Sequence, residues 1–171
     1  LDSELSTDTF ITRLIASLTG YKVRYIRTCK YKESPQATEK VEQAIKDIKE
    51  AKLIHKYIVG FSEAELLNEI KRVKIQYGIS LVVYDYLKAD TITNEGQQER
   101  LQLAHLTNML KNQVCGDMNL AGLCLCQTSP TSGTTEQGYR AFGSSGIEMF
   151  SSTTIYLIRK TDEEIEDDLG I

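Results

Sequence analysis

The sequence predicts an α/β fold with a parallel-sheet core and helices on both of its faces. Apolar residues at helical spacing alternate along the chain with short apolar runs that are rich in β-formers. The run from Leu81 to Leu87 is too short for a membrane span and is typical of a buried parallel strand. Its first four residues, Leu81 to Tyr84, lead directly into Asp85, and open parallel sheets bind their ligands at the carboxyl ends of the strands.

The composition is that of a globular protein, and we expect residues 1–171 to form one domain. The net charge of −4 argues against a nucleic-acid-binding surface over the whole domain, although a local basic lining remains open. We find no membrane span, no secretory signal and no cysteine–histidine spacing that indicates zinc, so we expect reduced thiols and a cytoplasmic protein. One basic cluster, most simply a solvated face, consists of Lys22, Arg24, Arg27, Lys30 and Lys32.

The first half of the chain predicts helices with clear start and stop signals. Ser6 can cap a helix that ends at Gly20, and a second helix is expected from Pro35 to Leu53. Residues 55–59 then predict a short strand. Ser62 and Glu65 form a capping box for the next helix, which Gly78 ends. The expected apolar stripes of these three helices are Phe10, Leu14, Ile15 and Leu18; Val41, Ala44, Ile45, Ile48 and Ala51; Leu66, Ile70, Val73 and Tyr77.

The second half alternates in the same way. A helix is expected from Gln98 to Val114, closed by Gly116, and a buried strand from Leu120 to Cys126. The Gly-, Ser- and Thr-rich residues 128–146 predict a mobile loop. A helical turn around 147–151 and a strand over 153–158 follow, and residues 160–171 form an acidic tail.

Polar residues of the kind that phosphate chemistry uses stand at several predicted strand ends. Asp85 can bind Mg²⁺ through water, and Gln127 can sense a γ-phosphate. Glu4, ahead of the first helix, can polarise an attacking water, and Arg159 can stabilise negative charge. A single acidic strand end is common by chance, but the set predicts a shared site along one edge of the sheet.

The motifs resemble the RecA-like ATPase domain of DnaB-type replicative helicases. They occur in family order and at nearly family spacing from about residue 1 to 160. Asp2 and Ser3 replace the Ser-Leu that precedes the glutamate in the family, so that match is short. The matching segments are Glu4-Leu5-Ser6, Tyr25-Ile26-Arg27-Thr28, Leu81 to Leu87 as the Walker B strand, Leu123 to Gln127, Ser144-Ser145-Gly146-Ile147-Glu148 and Thr153 to Arg159.

The resemblance implies an ATP-hydrolysing helicase that uses ATP and Mg²⁺, binds single-stranded DNA and forms a homo-oligomer, expected to be a hexameric ring. It makes Glu4 the catalytic base, Asp85 the magnesium-organising aspartate and Gln127 the γ-phosphate sensor, with Arg159 also in the site. It assigns DNA contact to the loop residues Arg140, Gly143, Ser144, Ser145 and Gly146. A flexible surface loop without a ligand is the alternative interpretation of that segment.

Two family segments are absent from the 171 residues. No G-x-x-x-x-G-K-[ST] phosphate-binding loop occurs, and nothing after Arg159 matches the family's Lys-x-Arg-Asn-Gly-Pro segment. The chain therefore reads as a fragment that begins after that loop, or as a lineage that has lost ATP binding. In either case we expect it to be a poor ATPase by itself.

Two alternatives remain open. A RecA- or RadA-type recombinase shares the sheet and the strand-end chemistry, although Asp85-Tyr86-Leu87 and Gly146-Ile147-Glu148 favour the helicase. A non-catalytic assembly or DNA-binding module that kept the fold is the other alternative. The sequence immediately upstream of Leu1 discriminates between the catalytic and the non-catalytic interpretation.

Overall fold

The computed structural model describes residues 1–88, 96–130, 139–141 and 145–157. The chain divides into two compact units, 1–66 and 67–171, and the boundary falls inside a helix. The helices are α1 (Thr7–Thr19), α2 (Val23–Arg27), α3 (Pro35–Glu50), α4 (Glu63–Tyr77), α5 (Gly96–Met109) and α6 (Ser145–Phe150), with a 3₁₀ turn at Lys30–Glu33 and a π-helix at Leu110–Asp117. The strands are β1 (Leu81–Tyr84), β2 (Ala121–Cys124), β3 (Thr128–Pro130) and β4 (Tyr139–Ala141).

The predicted caps of α1 and α4 are present, whereas the Ser34 cap of α3 was not predicted, and α3 ends at Glu50 rather than at the predicted Leu53. Ser6 Oγ accepts a hydrogen bond from the Thr9 N–H, and Gly20 ends α1 with a left-handed φ of 72°. Ser34 caps α3 in the same way, directly ahead of Pro35 at the first helical position. The capping box before α4 is also present, because Glu65 accepts from both the backbone N–H and the hydroxyl of Ser62.

The core of the first unit lies between α1, α2 and α3. Its buried residues are Ile15, Ala16, Ile26, Val41 and Ala44. The buried face of α1 differs from the predicted stripe, since Leu18 is 52% exposed and Thr19 is buried in its place. Thr19 can be buried because its hydroxyl donates to the Ile15 carbonyl at 2.7 Å.

Helical structure between Val23 and Glu33 was not predicted from the sequence. α2 and the 3₁₀ turn carry the basic cluster, whose Lys22, Arg24, Arg27, Lys30 and Lys32 were interpreted as a solvated face. Val23, Tyr25 and Ile26 pack into the core, but the segment is too short to show a repeating apolar stripe of helical period. Arg24, Arg27, Lys30 and Lys32 are exposed.

The second unit contains the parallel strand pair on which the fold prediction depends. β1 and β2 are parallel, with Leu81 opposite Ala121 and Tyr84 opposite Cys124. α5 and the π-helix connect the two strands, which is the crossover that a parallel pair requires. Val82 and Tyr84 are buried, and so are the inward residues Leu103, Leu106, Leu110 and Val114 of the connecting helices.

The structure corrects four predictions in the second unit. The strand predicted to be buried over 120–126 is exposed along β2, where Leu123 is 53% exposed. Gly116 does not close the helix after Val114, because the π-helix continues through it to Asp117. Residues 128–146 are not wholly a loop, since β3 and β4 pair antiparallel within them. In the described residues, 153–157 form no strand, and Ile155 and Leu157 are 77% and 92% exposed. An apolar run shows that a segment prefers an extended form, but it does not specify a partner strand.

A largely apolar cavity of about 760 Å³ lies within the second unit. β1, β2, the π-helix, α6 and the chain after α6 all contribute to its lining. Cys124 is solvent-accessible where it lines this space, yet desolvation among apolar neighbours raises the pKa of its thiol to about 11. The described cysteines are free, and Cys124 is protonated at neutral pH. In the described residues, no helix has the length and apolar content needed to cross a membrane.

Candidate nucleotide and DNA site

The second unit brings Asp85 and Gln127 to one edge of the parallel pair. Asp85 follows β1 directly, and Gln127 lies just beyond the end of β2. Two backbone hydrogen bonds extend the pairing past the strands, from Leu125 N–H to the Tyr84 carbonyl and from Leu87 N–H to the Leu125 carbonyl, both at 2.9 Å. Both side chains are exposed, so this edge offers a carboxylate and an amide to a ligand.

Glu4 lies in the first unit, at the end of a short strand-like segment. Asp2 and Tyr57 form a parallel bridge, in which Asp2 N–H donates to the Lys56 carbonyl and Ile58 N–H donates to the Asp2 carbonyl. The predicted strand over 55–59 is thus reduced to this bridge. Glu4 follows the bridge, precedes α1 and is exposed.

Asp2 and His55 form a buried pair beside Glu4 that sequence reasoning missed. Their side chains are 5% and 7% exposed, and Asp2 Oδ2 lies 3.3 Å from His55 Nε2. Burial opposes ionisation of Asp2, but the hydrogen bonds from the N–H groups of Leu5 and Glu4, together with His55, hold its pKa below the ordinary value. An aspartate that accepts from the N–H groups two and three positions ahead is a recognisable turn pattern, whereas nothing local points to His55.

α6 carries the Gly-Ile-Glu motif and lies close to the end of β2. Ile147 is buried, and the Glu148 carboxylate accepts a hydrogen bond from the Tyr156 hydroxyl. Burial raises the pKa of the Cys126 thiol, and the charge of Glu148 adds to the effect, which places that carboxylate near Cys126. The motif is therefore beside the strand end that carries Gln127.

The predicted DNA-binding residues are described only in part. β3 starts immediately after Gln127, and Arg140 lies in β4, where it pairs with Ser129 of β3. Ser145 begins α6, and Gly146 is half-buried in it. Gly143, Ser144 and Arg159 lie outside the described residues, as does the acidic segment 160–171.

The donor set for a metal ion is small. Among the described residues, no group of three or more His, Cys, Asp or Glu side chains is arranged to hold a metal. Mg²⁺ at phosphate sites typically uses one or two carboxylates and takes its other ligands from phosphates and water. One exposed carboxylate at a strand end, Asp85, fits this mode of binding.

A parallel strand pair with polar residues beyond its carboxyl ends is the arrangement in which open α/β proteins bind their ligands. The narrower class comes from comparison with known families. The family described as DnaB-like helicase C terminal domain matches residues 1–138. The chain belongs to this family of replicative helicases, and its fold is of the RecA-like α/β type, which confirms the resemblance over residues 1–138. The motifs at 144–148 and 153–159 lie beyond the matched range and stay predictions. A search of curated proteins found no match.

Proposed function

We propose that this chain is part of the motor domain of a replicative DNA helicase that couples ATP hydrolysis to movement along single-stranded DNA. The observation that carries the proposal is the shared edge of β1 and β2, where Asp85 and Gln127 follow paired parallel strands. Membership of the helicase family supports the reaction class.

The proposed roles follow from the chemistry of the side chains. Glu4 accepts a proton from the attacking water, which requires a carboxylate that water can reach. Asp85 would hold the Mg²⁺ ion through bound water, and Gln127 would donate its amide N–H to an oxygen of the γ-phosphate. Arg159 offers a positive charge to the phosphates. When bound, ATP supplies the phosphoryl group and Mg²⁺ neutralises part of its charge.

The proposed DNA contacts lie in the segment that follows Gln127. Arg140 supplies the positive charge, and the backbone N–H groups around Gly143, Ser144, Ser145 and Gly146 bind phosphate oxygens. Because β3 begins directly after Gln127 in sequence, movement at the nucleotide reaches the hairpin without an intervening linker. We propose that these motors assemble into a homohexameric ring, as is general for the family.

The test of this function uses the full-length protein that contains the chain. Asp85→Asn removes the charge at the strand end and keeps its size, so we expect DNA-stimulated ATP hydrolysis to fall roughly 10²–10³-fold. Circular dichroism should be unchanged, since the exposed side chain contributes little to packing. The matched control is Asp117→Asn, an exposed aspartate at the end of the π-helix, which should hydrolyse ATP at the parental rate.

An Asp85→Asn variant that hydrolyses ATP at the parental rate would show that Asp85 has no part in the site. A parent that binds single-stranded DNA but neither binds nor hydrolyses ATP would instead favour the non-catalytic module. Unwinding of a forked duplex distinguishes the helicase from the recombinase alternative, for which strand exchange is the expected activity.

A further inference from the structure

Asp2 is a buried carboxylate whose two oxygens have separate partners. It is 4% exposed, and its Oδ1 accepts from the backbone N–H of Glu4 at 2.8 Å and of Leu5 at 2.6 Å. Its Oδ2 lies 3.3 Å from His55 Nε2. One side chain therefore closes the turn that carries Glu4 and also connects that turn to a residue 53 positions away.

His55 is itself held in a fixed orientation. Its Nδ1 lies 3.0 Å from the Thr7 hydroxyl in the first turn of α1. Its ring stacks on Phe10, with centroids 4.2 Å apart and an interplanar angle of 18°. Both ring nitrogens and one ring face are engaged, so His55 presents Nε2 to Asp2 from a rigid position.

A simple turn does not require this arrangement. A serine hydroxyl can close such a turn, and it avoids the cost of burying a charge. A hydroxyl has one oxygen, which cannot serve the turn and His55 in the directions that the two partners require. The carboxylate does both, and the backbone of Asp2 is fixed on its other side by the bridge to Tyr57.

We propose that Asp2 is a positioning residue for Glu4, fixing the Glu4 backbone through Oδ1 while His55 fixes Asp2 through Oδ2. The proposal rests on the role of Glu4 as the general base proposed above. In this arrangement Asp2 touches neither water nor nucleotide and acts only by setting where the Glu4 carboxylate lies. Positional errors of about 1 Å at such a group can cost roughly 10²-fold in rate.

The experiment compares kcat and KM for ATP in the full-length protein and its variants. Asp2→Ala should lower kcat about tenfold or more and leave KM for ATP unchanged, because nucleotide contacts are intact while Glu4 is misplaced. Asp2→Asn keeps an amide oxygen for the Glu4 and Leu5 N–H groups, so it should restore most of kcat. If Asp2→Ala does not fold, His55→Leu carries the test, with a lower kcat at constant KM expected.

The matched control is Ser34→Ala, which removes another side-chain acceptor from the same unit. Ser34 Oγ accepts from the Ala37 N–H at 3.4 Å at the start of α3, away from the Glu4 turn in sequence. The loss of this cap should cost about 1 kcal/mol of stability and leave kcat unchanged.

Two results would overturn the positioning role of Asp2 and leave the proposed role of Glu4 intact. Parental kcat in Asp2→Ala, or in His55→Leu if it replaces that variant, would leave Asp2 a purely structural role. An Asp2→Asn variant as slow as Asp2→Ala would show that acceptance from the two N–H groups is not what matters. If Glu4→Gln itself turns over at the parental rate, the proposed role of Glu4 fails, and the positioning role fails with it.

Discussion

The two acidic strand ends of this molecule are held in place by different means. Asp85 follows a strand pair of four residues in register, so its position depends on backbone hydrogen bonds that almost any sequence can make. Glu4 follows a single bridge, and its turn depends on the side chains of Asp2 and His55. The comparison shows that strand pairing, which uses backbone hydrogen bonds, places few demands on side-chain identity. An isolated turn that is held by side chains requires particular residues.

The largest effect on ATP hydrolysis is expected at Glu4, the proposed general base, rather than at Asp85, the proposed magnesium-binding carboxylate. Glu4→Gln should still bind ATP and lower hydrolysis by roughly 10²–10⁴-fold, because the amide cannot accept the proton of water. A phosphate-release assay measures the rate of hydrolysis, and a nucleotide-binding assay measures the affinity for ATP. Glu39→Gln, an exposed position on α3, serves as the control and should match the parent. Unchanged turnover in Glu4→Gln would remove Glu4 from the site.

The freedom of side chains in the strand ladder has a limit at Gly122, where a residue outside the ladder crowds the strand. A Cβ at Gly122 of β2 would lie 2.8 Å from Cys115 Sγ of the π-helix. Gly122→Ala should therefore lower the free energy of unfolding by about 1–3 kcal/mol, as overpacking does.

Chemical denaturation of a double-mutant cycle tests this cause. Cys115→Ala removes the sulfur, so adding Gly122→Ala to it should cost less than Gly122→Ala alone. If the cost is the same in both backgrounds, the close approach to Cys115 is not the cause of the destabilisation.

Local signals predicted much of this fold. Ser6, Gly20 and Gly78 mark helix ends in the sequence because their effects act within one turn of chain. The π-helix at Leu110–Asp117 was not predicted, since its difference from an α-helix lies in which carbonyl each N–H selects. The strand expected at 153–158 failed because pairing depends on a partner elsewhere in the chain.

In the site, too, features that are local in sequence were predicted, and a contact between distant residues was missed. Asp85 and Gln127 were predicted because an apolar run that ends in a polar residue is visible in sequence, and the structure places both at one edge. The Asp2–His55 pair was missed because 53 positions separate its members and each is common in other contexts. The functional roles of all the predicted site residues stay predictions, and Arg159, Gly143 and Ser144 also lie outside the described residues.

The smallest expected effect concerns acid, and it tests whether the Glu4 turn depends on a charge. The folded pKa of Asp2 is lowered, so its ionised form contributes stability above the unfolded pKa of about 4, and this contribution is lost as the pH falls through the folded pKa. Asp2→Asn should therefore lose less stability than the parent between neutral pH and pH values below about 4. Denaturation at a series of pH values measures the difference, and equal losses would contradict it.

The long separation between Asp2 and His55 also has a consequence for how the protein folds. α1 and α3 form from contacts that are local in sequence, whereas the Asp2–His55 contact must close a loop spanning 53 positions, and closing a loop costs entropy that grows with its length. We therefore expect the turn at Glu4 to be among the last parts of the first unit to form. A partly folded chain would have its helices in place before it held the carboxylate on which turnover is proposed to depend.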